Sequence, residues 1–86
     1  MKDIEKQMKA LANRRRLVIL KYLKKTREAT VGSIASEIKL SFKSTSRHLG
    51  VLYATGIVEK EQRNVEVFYR LASQLHPTTK AVLLLL

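Results

Sequence analysis

Residues 30–56 read TVGSIASEIKLSFKSTSRHLGVLYATG and predict two helices joined by a tight turn. Thr30 is a good N-cap for a short helix that ends at about residue 37. Lys39-Leu40 then makes a turn, and Ser41 caps a longer helix over about 41–55 that ends before Gly56, a typical left-handed C′ residue. A short helix, a tight turn and a longer helix are typical of the helix-turn-helix motif.

The longer helix has two distinct faces. Its apolar stripe follows helical spacing and contains Phe42, Thr45, Leu49, Leu52 and Tyr53. A second, polar stripe contains Lys43, Ser46, Arg47 and Gly50, flanked by Ser44 and His48. This polar face is a solvated surface or a recognition surface for DNA, and the absence of any carboxylate between Lys39 and Val58 favours recognition. Arg47 is the best candidate for a bidentate contact to guanine, and Lys43 could contact either a base or a phosphate.

After Gly56 the apolar pattern changes from helical to alternating. Residues 57–62 and 65–71 predict two strands joined at Arg63-Asn64. Since a two-stranded hairpin is unstable alone, it must pack on the helices as a wing at 57–71. Pro77 is well placed in the first turn of a last helix that reaches about residue 86.

Two further helices are predicted before the helix-turn-helix. The first, about residues 3–12, carries Ile4, Met8 and Leu11 on one side, and Asn13 caps the second, about residues 14–25. Three arginines, residues 14–16, oppose the macrodipole at its start and require a compensating anion. A DNA phosphate could supply it, but for Arg16 an intramolecular carboxylate is preferred.

Composition and charge narrow the function. The 86 residues suit one domain, 1–86, and 17 Lys and Arg against seven Asp and Glu give a net charge of +10. Nine basic residues and no acid lie between Lys6 and Arg27, a field that attracts polyanions. The chain has no cysteine, and its longest apolar run, 81–86, is too short to span a membrane. No catalytic constellation is present, so we expect a cytoplasmic, soluble, non-enzymatic protein with no membrane partner.

Five segments resemble the ArsR/SmtB family of winged-helix regulators, in register over about residues 8–72. They are LANRRRLVIL at 11–20, TVGSIA at 30–35, STSRHLGVL at 44–52, GIV at 56–58 and VFYRL at 67–71. The resemblance implies a mainly α fold with a β-hairpin wing, a winged helix-turn-helix of order α1-α2-α3-α4-β-β-α5. It also implies a homodimer held by the terminal segments 1–12 and 74–86. The predicted interface residues are Ile4, Met8, Leu11, Val82, Leu83 and Leu86. A frayed or truncated chain end is the alternative explanation of the terminal leucines.

Regulators of this family typically repress transcription until a ligand, often a metal, weakens DNA binding. Members with a thiolate site in the third helix have cysteines where this chain has Thr30 and Gly32. Members that sense through the last helix use several His and carboxylates, whereas here His76 stands alone and no acid follows Glu66. One imidazole is not a zinc site. We therefore predict no metal and no cofactor, and the effector stays unidentified.

Together these observations predict a homodimeric repressor that reads an inverted repeat in double-stranded DNA. The predicted DNA contacts are Thr30, Ser41, Lys43, Ser44, Thr45, Ser46, Arg47, His48, Arg63 and Asn64. The wing should contribute less than the helix, because Glu59, Glu61 and Glu66 lie in it. A nonspecific or architectural nucleic-acid binder and a winged-helix protein-interaction module remain the alternatives.

Overall fold

The computed structural model describes residues 1–86 and contains five helices and three strands. In chain order they are α1 (Lys2–Leu11), α2 (Arg14–Thr26), β1 (Glu28–Thr30), α3 (Val31–Ile38), α4 (Phe42–Ala54), β2 (Val58–Arg63), β3 (Glu66–Leu71) and α5 (Pro77–Leu84). The winged helix-turn-helix fold and all five predicted helices are confirmed. No helix has the length and apolar character that crossing a membrane requires.

The predicted element order lacked one strand. β1 pairs antiparallel with β3, placing Ala29 opposite Tyr69, so that the sheet has the order β1-β3-β2. Three residues are too few to show an alternating pattern, and the pairing partner lies about forty positions away in the chain. The hairpin is therefore the larger part of a three-stranded sheet, and β1 joins that sheet directly to the start of α3.

The helix ends follow the capping residues that the sequence predicts. The side chains of Asn13, Thr30 and Ser41 accept hydrogen bonds from backbone N–H groups three residues later, at the starts of α2, α3 and α4. Gly56 has φ +74°, the left-handed conformation that favours glycine, directly after α4. His76 caps α5, because its Nδ1 accepts a hydrogen bond from the backbone N–H of Thr78 at 3.1 Å.

The core is built around α2 and α4. Ile19, Leu20 and Leu23 of α2 pack in one cluster with Leu49 and Leu52 of α4. Ile34 of α3 and Ile57, just before β2, complete its centre. This cluster holds the helix-turn-helix rigidly against α2, so the polar face of α4 is presented from a fixed scaffold.

The wing is shorter at its tip than expected. Val65 was predicted to begin the second strand, but it lies in the turn with Asn64 and is 93% exposed. Asn64 takes φ +56°, which asparagine tolerates better than most residues. Arg63 and Glu66 form the last pair of the hairpin, so the turn itself consists of two residues.

Two of the residues predicted at the dimer interface belong to the core of the single chain. Leu11 and Leu83 are buried and pack in the central cluster, because α1 and α5 lie against each other. Ile4 and Met8, at 41% and 57% exposed, do face solvent. Leu84 and Leu85, which lie within the predicted interface segment 74–86 but are not among the six residues named for it, are more than four-fifths exposed. Val82 and Leu86 are half-buried.

The buried Gln7 links α1 to two other helices. Its Nε2 donates to the backbone carbonyl of Thr55 at the end of α4 at 2.8 Å. Its Oε1 accepts a hydrogen bond from the hydroxyl of Thr79 in α5. The side chain of Gln7 therefore connects α1 both to α5 and to the end of α4.

Candidate nucleic-acid interface

The polar face of α4 is exposed as the sequence predicts. Lys43, Arg47 and Gly50 are exposed, while Ser44 and Ser46 are half-buried beside them. No carboxylate lies on α4, and Lys43 and Arg47 make no ion pair within the chain. The face therefore presents unpaired donors and positive charge, the properties that a helix needs in the major groove.

Thr45 must be removed from the predicted DNA contacts. Its side chain is 0% exposed and lies between the apolar residues of α4, and its hydroxyl makes no hydrogen bond. The helical period places it in the same stripe as Leu49 and Leu52, so it cannot reach DNA while α4 is packed on the core.

The middle of the predicted apolar stripe is buried, but its two ends are not. Phe42 is 64% exposed at the first turn of α4, and Tyr53 is about half exposed near its end. The ammonium group of Lys60 lies over the Tyr53 ring at 4.4 Å from its centroid. The stripe predicted from the sequence is thus longer than the part of α4 that the core covers.

Arg16 has an intramolecular partner, but not the carboxylate that was expected. Its Nε donates to the carbonyl oxygen of Ala10 at 2.6 Å and its Nη2 to that of Lys9 at 3.1 Å. Its Nη1 donates to Nδ1 of His48 on α4 at 3.3 Å. The last carbonyls of a helix lack intrahelical partners and carry partial negative charge. The end of α1 therefore supplies the negatively charged hydrogen-bond acceptors that a carboxylate was expected to supply.

His48 lies half-buried among positive charges. Burial lowers its pKa from the usual value, and the charges of Arg16, Arg15 and Arg47 lower the pKa further. The imidazole is therefore neutral at pH 7. The three arginines come from the first turn of α2 and from α4, so the basic surface continues beyond α4. The run of arginines at 14–16 was the signal for this extension.

Arg63, predicted to contact DNA from the wing, is already engaged. Its guanidinium donates to both carboxylate oxygens of Glu28 on β1, at 2.6 and 2.9 Å, and to Glu61 on β2 at 3.1 Å. These hydrogen bonds raise the pKa of Arg63 and lower the pKa values of Glu28 and Glu61. Because β1 was missed, Glu28 could not be foreseen as a partner. The side chain of Asn64, the other predicted wing contact, is exposed and makes no hydrogen bond within the chain, whereas its backbone carbonyl accepts one from Gln62.

A ladder of charges covers the outer face of the sheet. Arg70 on β3 donates to Glu61 at 3.1 Å and lies 3.4 Å from a carboxylate oxygen of Glu59. The pKa of Glu59 is lowered chiefly by the hydrogen bond from the backbone N–H of Ser73. The arginines of this face are therefore paired with carboxylates of the same face, whereas the cations of α4 have no carboxylate partner.

Thr30 and Ser41 act first as caps. The hydroxyl oxygen of Thr30 accepts from the backbone N–H of Ser33, and its hydroxyl donates to the side chain of Ser33 at 3.1 Å. The hydroxyl oxygen of Ser41 accepts from the N–H of Ser44 at 3.0 Å.

No three His, Cys, Asp or Glu side chains lie close enough together to hold a metal ion.

Comparison with known proteins gives a family match over much of the chain. Residues 13–60 match the model of the bacterial regulatory proteins of the arsR family. The chain is also similar to the transcriptional activator HlyU of Vibrio cholerae, with 41% identity over 66 residues that cover 77% of this chain. The chain spans 60% of the length of that curated relative.

Solved structures agree with this match. HlyU from Vibrio cholerae superimposes with a TM-score of 0.83 and 36% identity, covering 96% of this chain and 86% of that one. The homodimeric winged helix-turn-helix DNA-binding domain of Mb0332 from Mycobacterium bovis gives 0.83 and 30%, covering 98% and 74%. The transcriptional repressor BigR from Xylella fastidiosa gives 0.80 and 28%, covering 98% and 80%.

Proposed function

The chain belongs to the ArsR family of bacterial regulatory proteins, and on that premise we propose that it is a homodimeric repressor that binds double-stranded DNA sequence-specifically through α4. One observation carries the proposal: the exposed face of α4 has unpaired donors and no carboxylate in a protein of net charge +10. The arginines at the start of α2 extend this surface. A groove about 12 Å wide accommodates such a helix.

Within the proposed interface, the exposed cations of α4 make the base contacts. Arg47 forms a bidentate pair with guanine, and Lys43 contacts a base or a neighbouring phosphate. Ser44 and Ser46 add shorter hydrogen bonds from the same face. Gly50 lets the helix approach the groove closely.

The remaining contacts of the interface go to the DNA backbone. Thr30 and Ser41 lie at the starts of α3 and α4, where free backbone N–H groups favour phosphate. Asn64 contacts the backbone from the tip of the wing. Arg63 contributes less than the sequence predicts, because its guanidinium is held by Glu28.

The dimer is proposed from exposed apolar side chains at both ends of the chain. Ile4 and Met8 line a groove of about 530 Å³ on α1, and Leu84 and Leu85 project from α5. Val82 and Leu86 lie beside these leucines. A contiguous exposed apolar surface is typical of a protein–protein interface. The Mycobacterium bovis neighbour is homodimeric, which supports a dimer of this chain as well.

Selection of bound sequences from random duplex DNA tests the proposed function. We expect an enriched inverted repeat whose half-sites lie one helical turn apart, about 34 Å. Binding without an enriched motif would instead support nonspecific binding through the basic field between Lys6 and Arg27. Absence of salt-dependent DNA binding would support a protein-interaction module.

Repression is the finer part of the proposal and needs its own test. The relatives include an activator, HlyU, and a repressor, BigR. Repression is proposed because a compact dimer that occupies an operator inside a promoter blocks polymerase with no further contact surface. A reporter with the selected operator inside its promoter should fall in output when the protein is expressed. A rise in output would identify an activator.

A further inference from the structure

The guanidinium of Arg16 lies between the end of α1 and the polar face of α4. Nε and Nη2 are held by the carbonyl oxygens of Ala10 and Lys9, and Nη1 points to Nδ1 of His48. All three nitrogens of the guanidinium therefore have a partner. The backbone carbonyls at the end of α1 anchor one side of the guanidinium. The third hydrogen bond, from Nη1 to Nδ1, fixes the orientation of the His48 ring on α4.

The chemistry of the two side chains determines where the imidazole proton lies. A guanidinium only donates hydrogen bonds and is never deprotonated in proteins. The Nδ1 atom that faces Arg16 must therefore accept, and in a neutral imidazole the proton then lies on Nε2. Nε2 has no partner within the chain, and it is not sealed from solvent, since the only sealed and unpaired side-chain polar atom is the hydroxyl of Thr45.

We propose that Arg16 is a positioning residue that fixes His48 as a single N–H donor, so that His48 selects a hydrogen-bond acceptor on the DNA. The partner is N7 or O6 of guanine, N7 of adenine, O4 of thymine or a phosphate oxygen. Exocyclic amino groups, which only donate here, are rejected. This inference rests on the proposed DNA-binding function of α4.

The surroundings of His48 keep it in this form. The charged groups that face it are Arg16 and Arg15 of α2 and Arg47 of α4, and no carboxylate is among them. Protonation of Nδ1 would lose the hydrogen bond and place a fourth positive charge among three. The neutral ring with its proton on Nε2 is thus favoured by both the hydrogen bond and the local field.

The first test uses the free protein and needs no DNA. Nitrogen-15 NMR of the imidazole at pH 7.5 should show a protonated Nε2 and a bare Nδ1 at His48. In Arg16→Met the population with a proton on Nδ1 should rise, whereas Arg14→Met, which removes an exposed arginine from the same turn, should leave it unchanged. A proton on Nδ1 in the parent would overturn the proposal, and so would an unchanged tautomer ratio in a folded Arg16→Met protein. If Arg16→Met does not fold, the parent spectrum alone decides.

The second test uses the duplex selected for the parent. His48→Gln keeps an N–H donor near the position of Nε2, and it should bind within about threefold of the parent. His48→Asn and His48→Phe should bind roughly 3- to 10-fold more weakly, the loss of one net hydrogen bond. The double variant Arg16→Met with His48→Phe should lose measurably less binding free energy than the sum of the two single losses, because both substitutions remove the same contact. Equal binding of the Gln and Phe variants would overturn the proposal.

Modified duplexes identify the acceptor. Replacing single purines by 7-deazapurines removes N7, replacing guanine by 2-aminopurine removes O6, and replacing thymine by 5-methyl-2-pyrimidinone removes O4. Replacing single phosphates by methylphosphonates removes the charged oxygen. One replacement should weaken the parent and leave His48→Phe unaffected, and its type distinguishes a base from a phosphate. If no replacement at any base or phosphate depends on His48, the inference fails. If the parent selects no DNA at all, the proposed function fails, while the NMR result still reports on Arg16.

Discussion

At the scale of single residues, two threonines are completely buried and have different surroundings. Thr45 lies among the apolar residues of α4, and its hydroxyl has no partner. Thr79 lies under α1, and its hydroxyl donates to the buried Gln7. A buried hydroxyl without a hydrogen bond destabilises a fold, whereas removing one partner of a buried pair leaves the other unsatisfied.

Valine at the two positions should therefore have opposite effects. Thr45→Val should raise the free energy of unfolding by about 1 kcal/mol, because the same volume is filled without burying a hydroxyl. Thr79→Val should lower it by about 1–3 kcal/mol, because the side-chain oxygen of Gln7 loses its donor. Urea unfolding at pH 7.5 measures both. A destabilised Thr45→Val protein would mean that the hydroxyl has a partner after all.

The pH dependence of stability reports on His48. Its pKa in the folded protein lies below the ordinary value of about 6.5, chiefly because of burial and then because of the nearby arginines. The unfolded chain therefore binds more protons below that pH, and stability should fall as the pH drops from about 6.5 through the folded pKa. Urea unfolding at pH 7.5 and 5.0 should show this loss.

His48→Gln, which does not titrate, serves as the control for that pH effect. Its loss of stability between pH 7.5 and 5.0 should be smaller than that of the parent. The carboxylates whose pKa values are lowered, those of Glu28, Glu59 and Glu61, titrate below this window and should affect both proteins equally. Equal losses in the two proteins would show that His48 has the same pKa folded and unfolded.

At the scale of elements, α4 and the wing use their arginines differently. Arg47 is exposed on α4 and has no ion pair, whereas Arg63 forms a bidentate pair with Glu28 that joins β2 to β1. Both pairing side chains of the wing are about 40% exposed, so the pair adds little to stability in water. The pair does occupy the guanidinium of Arg63, whereas that of Arg47 has no carboxylate partner.

Alanine substitutions should separate the two elements. Arg47→Ala should cost about 1–3 kcal/mol of binding to the selected duplex and relax the preference at one base position. Arg63→Ala should cost less than half as much and leave the preference intact, because a phosphate contact would first have to break the pair with Glu28. Equilibrium titration followed by repeated selection measures both effects.

A third variant checks the reason for this difference. Glu28→Gln removes the bidentate partner of Arg63, leaves it only the hydrogen bond to Glu61, and removes a negative charge from the sheet, so it should bind the duplex more tightly than the parent. Glu37→Gln, on α3, removes the same charge without touching Arg63 and is the matched control. If the two variants gain equally, the gain comes from net charge alone and not from a freed arginine.

At the scale of the whole molecule, positive and negative charges are separated. Four of the seven acids, Glu28, Glu59, Glu61 and Glu66, belong to the three strands. The basic run from Lys6 to Arg27 lies in α1, in α2 and in the residue that follows α2, and its arginines in the first turn of α2 lie beside the polar face of α4. In the proposed complex this charge distribution steers DNA towards α4 and the start of α2, and the outer face of the sheet faces away from the DNA.

The exposed apolar side chains at the two ends of the chain predict how the proposed dimer responds to a new charge in its interface. Met8→Glu should shift the protein towards monomer in sedimentation experiments, because it buries a carboxylate in the proposed interface. Val65→Glu, at the exposed wing tip, carries the same new charge and should leave the dimer unchanged. A Met8→Glu protein that dimerises like the parent would place the interface elsewhere.

The helices, their caps, the left-handed Gly56 and the two wing strands were predictable because each depends on residues a few positions apart. Helical and alternating periods, and cap hydrogen bonds three residues long, are local properties that the sequence determines by itself. The family resemblance and the polar face of α4 rest on the same local patterns.

Only the tertiary structure decided what depends on residues far apart in the chain. β1 exists because β3 is available to pair with it, and Arg63 is occupied because β1 brings Glu28 within reach, 35 residues away. The partners of Arg16 and the burial of Leu11, Leu83 and Thr45 likewise follow from how the helices pack. Packing determines which side chains are covered and which charges meet, and no local period carries that information. The helix-turn-helix read from residues 30–56 is thus local, whereas the set of its side chains left free to bind is a property of the whole fold.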